Sequence, residues 1–165
     1  MKRVKDLDKK YREEDAESCR YTIQPLSDEE IESAGALLYQ RLAEINHGVG
    51  KVLYSATLPE TLQFLRETSI LLGAYVEGEL VGILAAEEDA IEHIAVDKEW
   101  IRLGIGSALI SAAEEQGASY IDIYRDNEGA VKFIEALGYG IYDLTEPEAG
   151  DLLAEVPYAM MHFMK

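Results

Sequence analysis

The chain has 165 residues, a formal net charge of −17 and one cysteine, Cys19. This length favours one domain with a sizeable core, and the charge disfavours binding to nucleic acid or to an anionic membrane, because like charges repel. No apolar run reaches ~18 residues, the length of a membrane span, and the start of the chain lacks the apolar core of a signal peptide. With no second cysteine for an internal disulfide, we expect a cytoplasmic protein.

Residues 1–20 form a charge-dense extension that differs in character from the rest of the chain. Val4, Leu7 and Tyr11 stand at helical spacing, which fits a short helix packed on the body or on a partner. A frayed terminus fits equally well. We therefore expect the folded domain to span residues 21–165.

The first elements of this domain are predicted from local signals. Residues 21–25 alternate apolar and polar side chains, as a strand does. Ser27 and Glu30 have the spacing of a capping box, which predicts the start of a helix. Pro59 suits the first turn of a second helix that begins near Thr57. The apolar face of the first helix consists of Ile31, Ala34, Leu38, Leu42 and Ile45.

The remaining elements predict a sheet with helices packed on it. Two apolar runs around Glu77-Gly78-Glu79 predict a hairpin, and Gly138 has the position of a helix C-cap. The order βααβββαβαββ argues against an all-β fold and against a helix bundle. We expect strands at 70–76, 80–86, 91–96, 120–124, 139–144 and 158–164, and helices at 104–115 and 127–137.

The segment I-E-H-I-A-V-D-K-E-W-I-R-L-G-I-G-S, residues 91–107, reads as a buried strand, a loop and a helix start. Gly104 and Gly106 allow the backbone to approach an anion closely, and the first N–H groups of a helix point at such a ligand. The pattern predicts a phosphate cradle. A tight turn that only permits close packing is the alternative.

The local charge around this loop supports the cradle. Lys98 and Arg102 flank it, and no acidic side chain occurs between Ile101 and Ala113. Long-range repulsion from the acidic remainder of the chain is screened beyond about 8–10 Å at physiological salt. Local groups therefore decide whether an anion binds here.

These segments together resemble the GNAT-type N-acetyltransferases. V-D-K-E-W-I-R-L-G-I-G-S-A-L is similar to the acyl-CoA-binding motif of that family, and N-E-G-A-V-K-F-I-E-A-L-G-Y, residues 127–139, is similar to its later helix. The preceding hairpin and the final strand match as well, so the resemblance covers about residues 21–165. It implies an α/β (α+β) fold, a mixed, mostly antiparallel seven-stranded sheet flanked by about four helices. Strands 91–96 and 120–124 would run parallel and splay apart.

The resemblance implies acetyl-CoA as the acyl donor, bound in the wedge between those two strands. Pantetheine would pair with the main chain of one strand like an added strand, and pyrophosphate would lie on the N–H groups of the glycine loop. Asn127 would cap its helix and lie near the cofactor. The implied cofactor-binding residues are Ile94, Ala95, Val96, Ile101, Arg102, Leu103, Gly104, Ile105, Gly106, Ser107 and Asn127.

Two residues depart from the family pattern. Ile101 stands where the family usually has Gln or Arg, with Arg102 shifted by one position. Because the cradle is mainly backbone, this departure should weaken the phosphate site without abolishing it. Ile134 stands where the family often has the tyrosine that protonates the leaving thiolate, so the usual general acid is missing.

Three side chains are candidates for acid–base chemistry. Glu92 is on the same face as Ile94 and Val96 if the strand is regular, and it is the first candidate for the base that deprotonates the amine through water. A solvated or ion-paired glutamate is the alternative. Asp122 stands on the neighbouring strand, where some family members carry a catalytic acid. Tyr124 is the candidate to replace the general acid, with simple packing as its alternative.

The other polar residues favour structural roles. His93 points away from Glu92 in a regular strand and is expected to be a structural histidine, and Tyr139 is expected to pack. His47 and His162 look isolated. No spacing of Cys, His and carboxylates suggests a metal site.

We therefore expect an N-acetyltransferase that moves an acetyl group from acetyl-CoA to a primary amine by direct attack in a ternary complex. The N–H groups near Ile94 would polarise the thioester carbonyl. The acceptor, a small-molecule or peptide amine, would enter between the first two helices and the loop before Tyr158, where acidic residues favour a cation. A homodimer is common in the family.

Two other functions remain open on the sequence. A non-catalytic acyl-CoA-binding or sensing module would explain the departures at Ile101 and Ile134. An interaction domain that has lost its cofactor is the second. Such a domain would show no thermal stabilisation by acetyl-CoA, because a bound ligand must stabilise the fold.

Overall fold

A computed structural model describes residues 20–44, 58–146 and 159–165. These residues form the predicted order of elements, a seven-stranded sheet with four α-helices. The predictions for residues 1–19, for His47 and for Tyr158 lie outside the described residues. The strands are β1 (Tyr21–Pro25), β2 (Ile70–Val76), β3 (Glu79–Glu87), β4 (Ala90–Val96), β5 (Tyr120–Tyr124), β6 (Gly140–Thr145) and β7 (Met160–Met164), and the helices are α1 (Ile31–Glu44), α2 (Leu58–Glu67), α3 (Ile105–Glu115) and α4 (Glu128–Ala136).

The sheet has the strand order β1-β2-β3-β4-β5-β7-β6. Every neighbouring pair is antiparallel except β4 and β5, which run parallel. The mixed, mostly antiparallel sheet is therefore confirmed. The last strand in the chain, β7, lies between β5 and β6, and this insertion brings residues from three strands side by side.

The parallel pair in the middle of the sheet separates almost at once. Ala90 pairs with Tyr120 and Ile91 pairs with Ile121, and the ladder between β4 and β5 ends there. Beyond these two pairs, the edge of β4 that faces β5 is unpaired, whereas its other edge stays paired with β3. The splayed wedge expected between these strands is present.

Two apolar clusters hold the helices to the sheet. The larger one joins α3 and α4 to the strands through residues such as Leu109, Ile134 and Phe163, all almost fully buried. The smaller one joins α1 and α2 to β3 and β4 through residues such as Leu38 and Leu65. Burial of such side chains supplies most of the favourable free energy of folding. The wedge lies between these two layers.

A 3-10 turn at Asp28–Glu30, which leads directly into α1, shows the predicted capping box. The N–H and the hydroxyl of Ser27 both donate to the Glu30 carboxylate, at 3.2 and 2.9 Å. The Tyr75 hydroxyl of β2 donates to the same oxygen at 2.7 Å. This carboxylate therefore ties the first turn to the sheet. Among the described helices, none combines the length and the apolar character needed to cross a membrane.

Candidate active site

A cleft of about 540 Å³ lies where β4 and β5 separate. Leu38 and Leu42 of α1 line it from one layer, and Phe133 and Ile134 of α4 line it from the other. The cleft therefore reaches both faces of the sheet, so that two molecules entering from opposite sides can meet in it. Its remaining lining residues are Asp89, Ala90, Ile91, Glu92, His93, Ile94, Tyr120, Ile121, Asp122, Ile123, Tyr124, Asn127, Ala130, Tyr142 and Met160.

The glycine turn follows β4 and a short 3-10 turn at Lys98–Trp100, and it leads into α3. Gly104 is the N-cap of α3 with φ +83°, and Arg102 also has a positive φ of 64°. The Ala108 N–H donates to the Gly104 carbonyl at 3.0 Å, which begins the helix ladder. The N–H groups of Ile105, Gly106 and Ser107 have no acceptor within a helix that begins here.

The two glycines are required for different reasons. Gly104 has a left-handed backbone, and its carbonyl accepts a hydrogen bond from the Tyr21 hydroxyl at 3.4 Å. A Cβ at Gly106 would lie 3.1 Å from Cζ of Phe133, tighter than an ordinary contact. Both glycines therefore serve packing as well as any cradle. Because the Phe133 ring also lines the cleft, it links the turn to the wedge.

Charged side chains near the turn are arranged differently from the sequence expectation. Lys98 Nζ lies 3.7 Å from Glu44 Oε1 and so pairs with α1. Arg102 is exposed, and Ile101 beside it is 45% exposed. The groups suited to an anion here are therefore mainly the main-chain N–H groups of the turn and of the start of α3.

The strand that carries Glu92 is irregular at that residue. Ile91 pairs with Ala86 and His93 pairs with Ala85, which leaves Glu92 without a partner in a bulge of β4. As a result Ile91 packs in the same cluster as Ile94, although strict alternation would place it on the opposite face. The regular alternation assumed from the sequence fails here. Bulges of this kind re-aim a side chain and recur next to active sites.

Glu92 is exposed and lines the cleft. Partial burial raises the pKa of this carboxyl, and the nearby charges of Asp122 and Glu87 raise the pKa further. A carboxylate with a raised pKa is a stronger base than an ordinary glutamate. Glu92 is therefore a candidate base in the wall of the cleft.

His93 has the structural role expected for it. Its ring packs edge-on against Phe64 of α2, with ring centroids 5.2 Å apart. Burial lowers the pKa of His93, so the ring is neutral at pH 7. A neutral, packed imidazole helps to hold α2 against β4.

The expectation that His162 is isolated is wrong. His162 Nδ1 lies 2.7 Å from Asp122 Oδ1, and Nε2 lies 2.7 Å from Thr145 Oγ1. The register of β7 places His162 opposite Asp122 of β5. The sequence could not reveal this contact, because the three residues belong to strands whose spatial order differs from their order in the chain.

The remaining predicted residues have mixed outcomes. Tyr124 lines the cleft, and burial raises the pKa of its phenol, which therefore stays protonated at neutral pH. Asn127 is at the N-cap of α4, but its side chain makes no capping hydrogen bond, so its capping role is wrong. Ile134 is 1% exposed and donates no proton. Tyr139 is buried and donates to Glu114 at 3.0 Å, so its packing role is confirmed.

Several lining residues were missed from the sequence. Tyr120 and Tyr142 meet edge to face, with ring centroids 6.0 Å apart, and both line the cleft. Leu38 and Leu42 were expected only as core residues. No local signal marks these residues as site residues, since they meet through tertiary packing. Across the described ranges, no group of three metal-ligating side chains comes together.

Comparisons with known proteins agree with this geometry. The acetyltransferase (GNAT) family matches residues 38–139 of the chain. No curated protein sequence matches it.

Several solved structures share the fold. Apo YjaB from Escherichia coli is 20% identical, with a TM-score of 0.67 over 88% of this chain and 97% of that one. The ribosomal-protein-S18-alanine N-acetyltransferase from Escherichia coli is 16% identical, with a TM-score of 0.64 over 87% of this chain and 92% of that one. The PaiA N-acetyltransferase from Thermoplasma acidophilum, solved with coenzyme A, is 16% identical, with a TM-score of 0.62 over 88% and 99%.

Proposed function

This chain belongs to the GNAT acetyltransferase family, and we propose that it transfers an acetyl group from acetyl-CoA to a primary amine by direct attack in a ternary complex. The observation that carries the proposal is the cleft between β4 and β5. It opens after two residue pairs, reaches both faces of the sheet and has a carboxylate with a raised pKa in its wall. Acetyl-CoA would enter from the α3–α4 side and the amine from the opposite side.

The acyl donor would be held mainly by backbone. Residues 94–96 of β4 present a main-chain edge that is not paired to β5, which suits the pantetheine arm as an added strand. The N–H groups at the start of α3, from Ile105 to Ser107, suit the pyrophosphate. The structure of the PaiA enzyme with coenzyme A supports this type of ligand for the fold.

The chemistry requires one proton to leave the amine before attack. An alkyl ammonium group titrates near 10.4, so a base is needed at neutral pH. Glu92 would accept this proton through a water molecule, and the free amine nitrogen would then form the N–C bond with the thioester carbon. The main-chain N–H groups near Ile94 would stabilise the oxyanion.

Collapse of that intermediate breaks the C–S bond and releases the thiolate of CoA, while the new amide nitrogen loses its second proton to water. A thiol titrates near 8.5, below a tyrosine phenol, so the thiolate can leave without first taking a proton. The pKa of Tyr124 is raised by burial. This phenol would therefore assist the leaving thiolate by donating a hydrogen bond rather than by acting as a strong acid.

The acceptor class follows from the charge of the cleft. Glu92, Asp122 and Asp89 line it, so a cationic amine is favoured over an anionic or neutral one. A small-molecule amine and a peptide amine both fit this description. A homodimer and a cytoplasmic location remain predictions of the sequence.

The test is an amine panel with detection of free CoA, run on the wild type and on Glu92→Gln. We expect wild-type turnover with at least one cationic amine and a kcat about 100-fold lower in the variant, because general base catalysis contributes at least that factor. Glu79→Gln, which removes an exposed charge at the start of β3, is the matched control and should keep the wild-type kcat.

Thermal stabilisation by acetyl-CoA separates binding from turnover. Wild type and Glu92→Gln should both be stabilised by the thioester. Stabilisation without turnover across the whole panel would contradict the transferase and favour an acyl-CoA-binding module. Full activity in Glu92→Gln would remove Glu92 from the role of base.

A further inference from the structure

One polar array beside the cleft includes His162 and Thr145, which have no part in the chemistry above. Asp122 of β5, His162 of β7 and Thr145 of β6 form a continuous chain of contacts, with both imidazole nitrogens at 2.7 Å from an oxygen. The His162 side chain is 20% exposed, whereas that of Asp122 is 56% exposed and lines the cleft. The array therefore runs from the cleft wall to the edge strand.

The hydrogen-bonding capacity of the three groups sets the direction of this chain. A carboxylate only accepts, so Nδ1 of His162 must carry the hydrogen that is shared with Asp122. In the neutral ring Nε2 is then an acceptor, and the Thr145 hydroxyl donates to it. In the charged ring Nε2 donates and the same hydroxyl accepts. Asp122 thus keeps its partner in both charge states of the imidazole.

The held carboxylate lines the same cleft as the candidate base. The charge of Asp122 is also among the causes that raise the pKa of Glu92. His162 occupies Oδ1 of Asp122. One carboxylate oxygen therefore remains for a donor in the cleft, such as an ammonium group of a substrate.

We propose that His162 is a positioning residue for acetyl transfer, whose Nδ1–H holds the Asp122 carboxylate so that Asp122 binds the amine acceptor beside Glu92. The inference rests on the proposed function. The ammonium group would donate one N–H to Asp122 and lose another proton through water to Glu92. His162 itself neither gains nor loses a proton in this step.

Two amide variants separate positioning from general structure. The side-chain amide nitrogen of His162→Asn lies close to the place of Nδ1, whereas that of His162→Gln lies close to the place of Nε2. Asparagine therefore keeps a donor for Asp122, and glutamine keeps only a partner for Thr145. Thermal unfolding of both variants checks that they are equally folded.

The kinetic expectation is a change in KM for the amine alone. With spermidine as the acceptor, His162→Gln should raise this KM about 10-fold, the usual cost of losing a charge-assisted hydrogen bond network at a binding group. His162→Asn should stay near the wild type, and KM for acetyl-CoA should not change in either variant. Asp143→Asn is the charge control, since Asp143 is opposite His162 in register but accepts the N–H of Leu144.

A spectroscopic signature reports the array without turnover. Ring ¹⁵N shifts of neutral His162 should place the hydrogen on Nδ1, and Asp122→Asn should move a larger fraction of it to Nε2. His162→Asn identifies the resonance among the three histidines of the chain. If the ring hydrogen of neutral His162 in the wild-type protein lies on Nε2, the proposal is overturned.

The outcomes distinguish this inference from the proposed function. Equal KM values for spermidine in the asparagine and glutamine variants would overturn the role of His162 and leave acetyl transfer intact. If no amine is acetylated although acetyl-CoA binds, the transferase fails, and calorimetric binding of spermidine to the CoA-loaded protein then decides the role of His162. About 10-fold weaker binding in His162→Gln alone supports it, and equal Kd values overturn it.

Discussion

The glycine turn and the wall of the cleft have opposite electrostatic character. From Ile101 to Ala113 the chain has no acidic side chain, and the turn offers main-chain N–H groups at the start of α3. The cleft wall instead presents Glu92, Asp122 and Asp89. The difference would let a protein with a net charge of −17 accommodate the proposed polyanionic thioester. Local dipoles would bind the anion at short range, whereas salt screens the distant carboxylates.

The largest effect is expected from a substitution in the glycine turn that weakens the binding of acetyl-CoA. In Gly106→Val the new Cβ would meet Cζ of Phe133 at 3.1 Å, so the start of α3 and the Phe133 ring would have to shift. We expect Kd for acetyl-CoA to rise at least about 10-fold, because the backbone can no longer approach the phosphates. Isothermal titration calorimetry measures this value.

Gly129→Ala is the matched control for this variant. A Cβ at Gly129 of α4 would meet nothing within 4 Å. Its acetyl-CoA affinity should be unchanged, and its free energy of unfolding should rise by about 0.5–1 kcal/mol, since alanine is the better helix former. An unchanged Kd in Gly106→Val would mean that the turn only packs α3 against α4.

The wall of the cleft is tested by the pH dependence of kcat in the variant Asp122→Asn. Glu92 must be ionised to act as a base, so kcat should fall as the pH drops through its pKa. Burial and then the Asp122 charge raise that pKa. Removing the charge lowers the pKa of Glu92, and the acidic limb of kcat should therefore move to lower pH.

This acidic limb of kcat is measured at saturating amine between about pH 3.5 and 8, which covers an ordinary or a raised glutamate pKa. Asp143→Asn removes a charge from the edge strand β6 and should leave the acidic limb of kcat at the same pH. If the acidic limb of kcat in Asp122→Asn stays at the same pH or moves to higher pH, the assignment of Glu92 as the titrating base is contradicted.

The smallest effect is expected away from both regions, at Tyr75. Its hydroxyl donates to Glu30, and burial followed by this hydrogen bond raises the pKa of Tyr75 to about 12. Tyr75→Phe should lower the free energy of unfolding by about 1 kcal/mol at pH 7, the typical net value of one such bond. Urea denaturation measures the loss, and KM for acetyl-CoA should not change.

The pH dependence of this loss has a definite sign. The hydrogen bond from Tyr75 is the largest cause that lowers the pKa of Glu30 below its ordinary 4.5. The stabilisation by ionised Glu30 is therefore fully present above that value and disappears as the pH falls through the lowered pKa. The difference in free energy of unfolding between wild type and Tyr75→Phe should become smaller in acid. A difference that grows in acid would contradict this account.

Much of the fold could be predicted because its signals are local. The strand at Tyr120–Tyr124 matches its predicted bounds, and the capping box at Ser27 and Glu30 forms as expected. Alternation, capping and glycine turns act within a few residues, so one stretch of sequence contains the whole cause. The glycine motif, Glu92 and Asp122 were identified from such stretches and from the family resemblance.

Errors arose where one strand depends on another. The bulge at Glu92 is a mismatch in register between β3 and β4, and it changes which face Ile91 occupies. Asn127 was expected to cap α4, but its side chain makes no such bond. The bulge could not be predicted from one segment, because it depends on how β3 pairs with β4.

The sequence by itself determined the order of elements and the position of the glycine turn, and it singled out Glu92 and Asp122, since each rests on side chains and backbone close together in the chain. Only the tertiary structure decided that β7 lies between β5 and β6. That insertion brings His162 to Asp122 and to Thr145. Strand order is set by how the whole sheet buries its apolar faces, and this is a global property that no local pattern contains.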